Sequence, residues 1–204
     1  MADRPARAGA AAQDRGRDRL RRGARALTDV FRVAFVCTGN RFRSPLAAAV
    51  FADEAEGLPV EVASLGTLDL GPEPALPEAV ALAEELGLDL TAHRAQRLGD
   101  LGEVDLVVGF ERKHVMAAVV DAGAPVEKTF TLPELVDLLG GLTDPLPPDA
   151  HERVGRAHSA RALDFRNRPL PEIRDPLGLP APEQRAVAHA VEEQAARLAA
   201  ALFD

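Results

Sequence analysis

Cysteine occurs once in the 204 residues, at Cys37, and tryptophan and tyrosine do not occur at all. A single thiol excludes a disulfide within the chain and is compatible with a reducing cytoplasm, which is the expected location. Without Trp or Tyr, apolar burial has to come from Ala, Leu, Val and the eight Phe. Lysine is almost as scarce: Lys113 and Lys128 stand against 22 arginines, the bias expected of a GC-rich genome. No run approaches the ~18–20 apolar residues of a membrane span. The N-terminus lacks the apolar centre of a secretion signal. An excess of positive charge is also missing. The formal net charge is −8, so neither nucleic acid nor a membrane is an expected partner. At 47% hydrophobic residues, the chain can bury the core of one compact domain.

The acidic balance is uneven. Residues 1–25 hold eight Arg and three Asp, a local charge of +5, which leaves −13 for the rest. Residues 1–28 are therefore expected to be a basic, disordered arm. The other reading is a tether to acidic lipid, nucleic acid or the protein's own acidic body. Residues 29–204 are expected to fold.

From residue 32 onward, short apolar strands alternate with helices. Strands are expected at 32–36, 60–64, 105–110 and 127–130, and helices at 45–56, 77–86, 111–122, 133–139 and 181–202. This alternation predicts an α/β fold, a three-layer sandwich with a four-stranded parallel sheet between helices. The last helix repeats Val187, Val191, Ala195, Leu198 and Leu202 along one face, the spacing of a core-facing stripe. The segment 140–170 reads as irregular, either a flap beside the site or a solvated insertion. His151 and His158 lie in it, but with Asp149, Glu152 and Asp164 they form no metal-ligand spacing. They are expected to be solvated, and no metal or other cofactor is expected. His114 and His189 read as ordinary helix residues.

Cys37 sits at the end of the first strand, in Val36-Cys37-Thr38-Gly39-Asn40-Arg41-Phe42-Arg43-Ser44-Pro45. A short loop entering a helix leaves backbone N–H groups unpaired, and the helix dipole adds positive potential there. Gly39 and Asn40 tolerate the left-handed angles of a tight anion nest. Arg43 can grip two oxygens of one oxyanion with its planar fork. Positive surroundings and a Ser44 hydroxyl favour a reactive thiolate. Thiolate, cradle and clamp together suggest attack on a tetrahedral oxyanion such as a phosphate monoester. Thr38, Gly39, Asn40, Arg41, Phe42 and Arg43 are the candidate phosphate-binding residues.

The segment 35–45 resembles the active-site loop of the low-molecular-weight protein tyrosine phosphatase family, which typically reads Val-Cys-x-Gly-Asn-x-Cys-Arg-Ser-Pro. Residues 62–67, 88–95, 105–110 and 173–178 resemble later family segments. The resemblance runs from about residue 32 to the C-terminus, with an insertion at about 140–170. It implies a Rossmann-like fold and a cysteine-dependent phosphatase that hydrolyses phosphate monoesters, phosphotyrosine in proteins first among them, through a phosphocysteine. The substrate partner would be a phosphorylated protein or a small phosphate monoester. Asn40, Ser44, Ser64 and His93 match family positions that form a hydrogen-bond network behind the loop.

Cleavage also needs a proton for the leaving oxygen. Two Asp-Pro pairs compete for this role, Asp144-Pro145 and Asp175-Pro176. Asp175 is favoured, because it precedes the last helix as the family's Asp-Pro loop does. Three positions depart from the family. Phe42 replaces its second loop cysteine, Arg41 fills a variable position that helps select substrate, and Leu177 stands where an aromatic is usual. Arg41 would repel a guanidinium leaving group, which ranks phosphoarginine low. Two rival readings remain: a single-cysteine arsenate reductase using an external low-molecular-weight thiol, and a phospho-ligand binding module without turnover.

Overall fold

The computed structural model describes residues 30–143, 145–161 and 169–204. The basic arm and Asp144 lie outside the described residues. Four strands form one parallel sheet: β1 Phe31–Cys37, β2 Val60–Gly66, β3 Leu106–Gly109 and β4 Thr129–Thr131. Their order is β2-β1-β3-β4, with Val33 facing Val62 on one side and Leu106 on the other. The helices are α1 Arg43–Glu54, α2 Pro77–Glu85, α3 Arg112–Val120, α4 Leu132–Gly140, α5 Ala150–Ala160 and α6 Ala181–Phe203.

β1 is apolar on both faces, as a central parallel strand must be. Phe31, Val33, Phe35 and Cys37 join the larger core, where α1, α2, α4, α5 and α6 contribute residues such as Phe51, Leu82, Leu135, Val154 and Leu198. Ala34 and Val36 face a smaller cluster with Leu98, Val104, Val107, Ala118 and Ala124. The sandwich therefore has unequal outer layers: five helices on one side, α3 and the irregular segment before β3 on the other. Phenylalanine carries the aromatic packing, with Phe35 against Phe51 and Phe31 against Phe203, both edge to face.

The segment 140–170 is not irregular throughout, as it was expected to be. Residues 150–160 form α5. Its buried side carries Ala150, Arg153, Val154 and Ala157, with Arg161 buried just beyond. That is helical spacing, but arginines at two of the five inward positions hide it from a hydropathy reading. Asp149 caps the helix by accepting from the N–H groups of His151 and Glu152. His151 is not simply solvated either. Its Nδ1 lies 3.1 Å from Asp149 Oδ1, its Nε2 lies 3.3 Å from Asp105 Oδ1, and its ring packs edge-on to Phe31. His158 is half-buried, with its Nδ1 enclosed and unpartnered among the described residues.

Strand order fixes where a site can form. The chain runs from β1 outward to β2, then crosses back to β3 on β1's other edge. The loops leaving β1 and β3 diverge at that switch point and leave a crevice beyond the strand C-termini. Cys37 ends β1, and Phe110 and Glu111 leave β3.

Candidate active site

The β1–α1 loop is built around the thiol. Cys37 is 3% exposed. Ser44 Oγ lies 3.0 Å from its Sγ, and the Asn40 N–H donates to Sγ at 3.2 Å. Asn40 is the one non-glycine residue with positive φ among the described residues, at 52°. That conformation is costly without outside support. Its Nδ2 donates to Ser44 Oγ at 2.9 Å and to Ser64 Oγ at 3.0 Å. Its Oδ1 accepts from the Gln96 N–H at 2.8 Å, and its backbone carbonyl lies 2.7 Å from His93 Nε2. Asn40, Ser44, Ser64 and His93 thus form one connected network. Gly66 makes room for it, since a Cβ there would come within 3.0 Å of the Asn40 and Gly39 backbone.

Arg43 opens α1, where no side chain caps the first turn. Its guanidinium is buried and shared among four partners. Nη1 donates to Glu111 Oε2 at 2.6 Å and to the Ile173 carbonyl at 3.0 Å. Nη2 donates to Asp175 Oδ2 at 2.6 Å and more weakly to Thr38 Oγ1 at 3.5 Å. Asp175 arrives from far along the chain because the segment before it is stitched to the strand ends. The Thr131 hydroxyl donates to the Pro171 carbonyl, and the Ile173 N–H donates to the Phe110 carbonyl. Arg43 and Asp175 therefore meet at the loop that Cys37 opens. Pro176, next in the chain, is buried, and Leu177 turns outward, 73% exposed, with its N–H donating to Asp175 Oδ1.

Not every loop residue faces that crevice in the same way. Phe42 is buried in the larger core. Arg41 turns aside, its Nε donating to the Pro74 carbonyl at 2.8 Å and its Nη2 lying 3.9 Å from Glu73. Leu70 lies over Gly39, where a Cβ would come within 3.2 Å of it.

Two side chains at this site were not singled out from the sequence. Glu111 grips Arg43 and also pairs with Lys113 at 3.0 Å. Burial raises its carboxyl pKa, but hydrogen bonds from Arg43 and Lys113 outweigh that and hold it below the usual range. His114 is not an ordinary helix residue: it is fully buried and contacts the loop. Burial, aided by the charge of Arg43, pushes its pKa down to about 4. The two residues complete a capping box at the start of α3, but their spacing gives no sign that both reach the loop after β1.

Fold and loop together define a class: an α/β protein with a lone thiol and a buried arginine in one loop at the switch point of a parallel sheet. Comparison with known proteins narrows it. The family model for low molecular weight phosphotyrosine protein phosphatase matches residues 32–152. A protein-arginine-phosphatase of Bacillus subtilis is 36% identical over 107 residues, 51% of this chain and 71% of that protein. A low molecular weight protein-tyrosine-phosphatase of Streptomyces coelicolor is 40% identical over 95 residues, 43% of this chain and 57% of that protein. The solved low molecular weight protein tyrosine phosphatase from T. tengcongensis superposes with a TM-score of 0.62 at 28% identity, covering 82% of this chain and 97% of that one. This chain belongs to the low molecular weight phosphotyrosine protein phosphatase family. Among the described residues, no helix is long and apolar enough to cross a membrane.

Proposed function

We propose that this protein is a cysteine-dependent phosphatase that hydrolyses phosphate monoesters, phosphotyrosine in proteins first among them, through a phosphocysteine. One observation carries the reading: a thiol held by the Asn40 N–H and the Ser44 hydroxyl shares its loop with an arginine already paired to an aspartate. Cys37 Sγ attacks phosphorus in line, forming the S–P bond as the ester P–O bond breaks. The unengaged N–H groups of the loop 38–43 hold the equatorial oxygens, and Arg43 joins them by exchanging its bond to Asp175 for a phosphoryl oxygen. Asp175 gives its proton to the departing oxygen. It then takes one from the water that cleaves S–P and releases inorganic phosphate. None of these steps calls on a cofactor.

Phosphoarginine is a second reading, and one observation favours it. The positive charge of Arg41, expected to repel a guanidinium leaving group, is directed at Pro74 and Glu73. Relatives named for arginine and for tyrosine dephosphorylation both match this chain.

The test is steady-state turnover of p-nitrophenyl phosphate without added thiol, followed by phosphotyrosine and phosphoarginine peptides. Wild type is expected to release phosphate and Cys37→Ser to release none. Arsenate-dependent consumption of a small thiol, with no phosphate release, would instead support the reductase reading.

A further inference from the structure

Thr38 follows the nucleophile directly, and its hydroxyl is tied to a histidine in the first turn of α3, the helix that follows the neighbouring strand. His114 Nδ1 lies 3.3 Å from the Phe110 backbone nitrogen and 3.1 Å from that of Glu111, and both N–H groups donate to it. A ring nitrogen that accepts carries no hydrogen, so the imidazole proton sits on Nε2. Nε2 lies 3.0 Å from Thr38 Oγ1 and 3.7 Å from Glu111 Oε2, so the threonine takes the bond. Arg43 Nη2 also donates to Oγ1, at 3.5 Å. A hydroxyl has two lone pairs and one proton. With both lone pairs facing donors, the Thr38 O–H can only donate, and it has no acceptor among the described residues.

We infer that Thr38 gives a bound phosphoryl oxyanion a side-chain donor beyond the loop's backbone N–H groups, and that His114 positions it. The direction follows from the surroundings. Thr38 is half-buried, follows the buried thiol in the chain and touches the guanidinium that also holds Asp175. Gly109 lets the imidazole in, since a Cβ there would lie 2.9 Å from His114 Cβ. The groups facing the ring are Arg43 and Lys113, which disfavour its protonation, and Glu111 and Asp175, which favour it. Burial tips that balance, so the imidazole stays neutral near pH 7 and the polarity of the relay is preserved.

The inference rests on the phosphatase reading, and its test separates the two. Tungstate, a tetrahedral oxyanion, is titrated calorimetrically into wild type, Thr38→Val, Thr38→Ser, His114→Phe, His114→Gln and the Thr38→Val/His114→Phe pair. The same proteins are assayed on p-nitrophenyl phosphate. Thr38→Val keeps the branched shape but loses the hydroxyl. It should weaken tungstate binding and lower kcat/KM by about ten- to a hundredfold, while Thr38→Ser stays within about threefold of wild type. His114→Phe should cost about three- to tenfold, and His114→Gln, which keeps an N–H near the Nε2 position, should recover part of it. The double variant should be no worse than Thr38→Val alone.

Thr38→Val binding tungstate like wild type would overturn the inference. Losses that multiply in the double variant would remove His114 from it. If thermal melting shows that the His114 variants do not fold, the Val and Ser pair still decides for Thr38. Wild type that binds tungstate without turning over would defeat the phosphatase reading, yet a weakened Thr38→Val would still support the donor.

Discussion

Asp175 is held at both carboxyl oxygens, Oδ2 by Arg43 and Oδ1 by the Leu177 N–H. When a bound phosphoryl group takes Arg43 over, Oδ2 is free to carry the proton to the leaving oxygen while Oδ1 stays anchored. The value of that delivery depends on how badly the leaving oxygen needs it. Asp175→Asn should therefore slow phenyl phosphate by about 10²–10³-fold in single turnover, but a dinitrophenyl ester by less than about tenfold. Equal slowing of both would remove Asp175 as the acid. At this scale the sequence was informative wherever the chemistry lay within one loop or one matched segment. Cys37, Asn40, Arg43 and Ser44 lie within eight consecutive residues, so their spacing alone suggested a cradle. Glu111 and His114 escaped because their roles depend on β3 lying beside β1. No local spacing reports that adjacency. A lone histidine in a helical run reads as bland until the strand order is known.

Elements were legible in proportion to how plainly their inward faces are apolar. Four strands and five helices stand close to their expected ranges, with ends shifted by a few residues as helix and strand ends commonly are. α5 was not expected, and the same chemistry that hid it holds it in place. Arg153 Nε donates to the Pro147 carbonyl, and its Nη1 to the Ala201 carbonyl at the end of α6. Arg161 reaches both oxygens of Glu134 on α4 and the Thr129 carbonyl, and its guanidinium lies 3.9 Å over the Phe130 ring. Burial lowers the pKa of both arginines, though Glu134 counters this at Arg161. A buried ion pair is weak evidence of net stability, but removing one partner leaves the other charge stranded. Glu134→Ala should thus destabilise the protein by about 3–5 kcal/mol in urea unfolding. Replacing both residues with methionine should cost clearly less. A Glu134→Ala loss under about 1 kcal/mol would mean that solvent reaches Arg161 and that the pair does not anchor α5.

His114 joins the β3 exit to the loop after β1, and its lowered pKa couples its protonation to global stability. Burial and the charge of Arg43 bring its pKa from the usual 6.5 to about 4 in the folded protein. Between those values the unfolded chain binds a proton that the native protein refuses. The unfolded state then holds more protons, so stability rises with pH through this window. The stabilising contribution is complete above about pH 6.5 and is lost as pH falls toward 4. Linkage puts the loss from this one group at about 2 kcal/mol between pH 7.5 and pH 5. The carboxylates add their own pH dependence, so the informative quantity is a difference between two proteins. His114→Gln cannot titrate and keeps a side-chain donor, so its urea-unfolding free energy should fall less between pH 7.5 and pH 5 than that of wild type, by about 2 kcal/mol. Parallel pH profiles for the two proteins would show that the native imidazole takes up its proton as readily as the unfolded one. Such a ring could not keep Nδ1 as the acceptor of the Phe110 and Glu111 N–H groups through that range, and the orientation assigned to the Thr38 hydroxyl would not hold there.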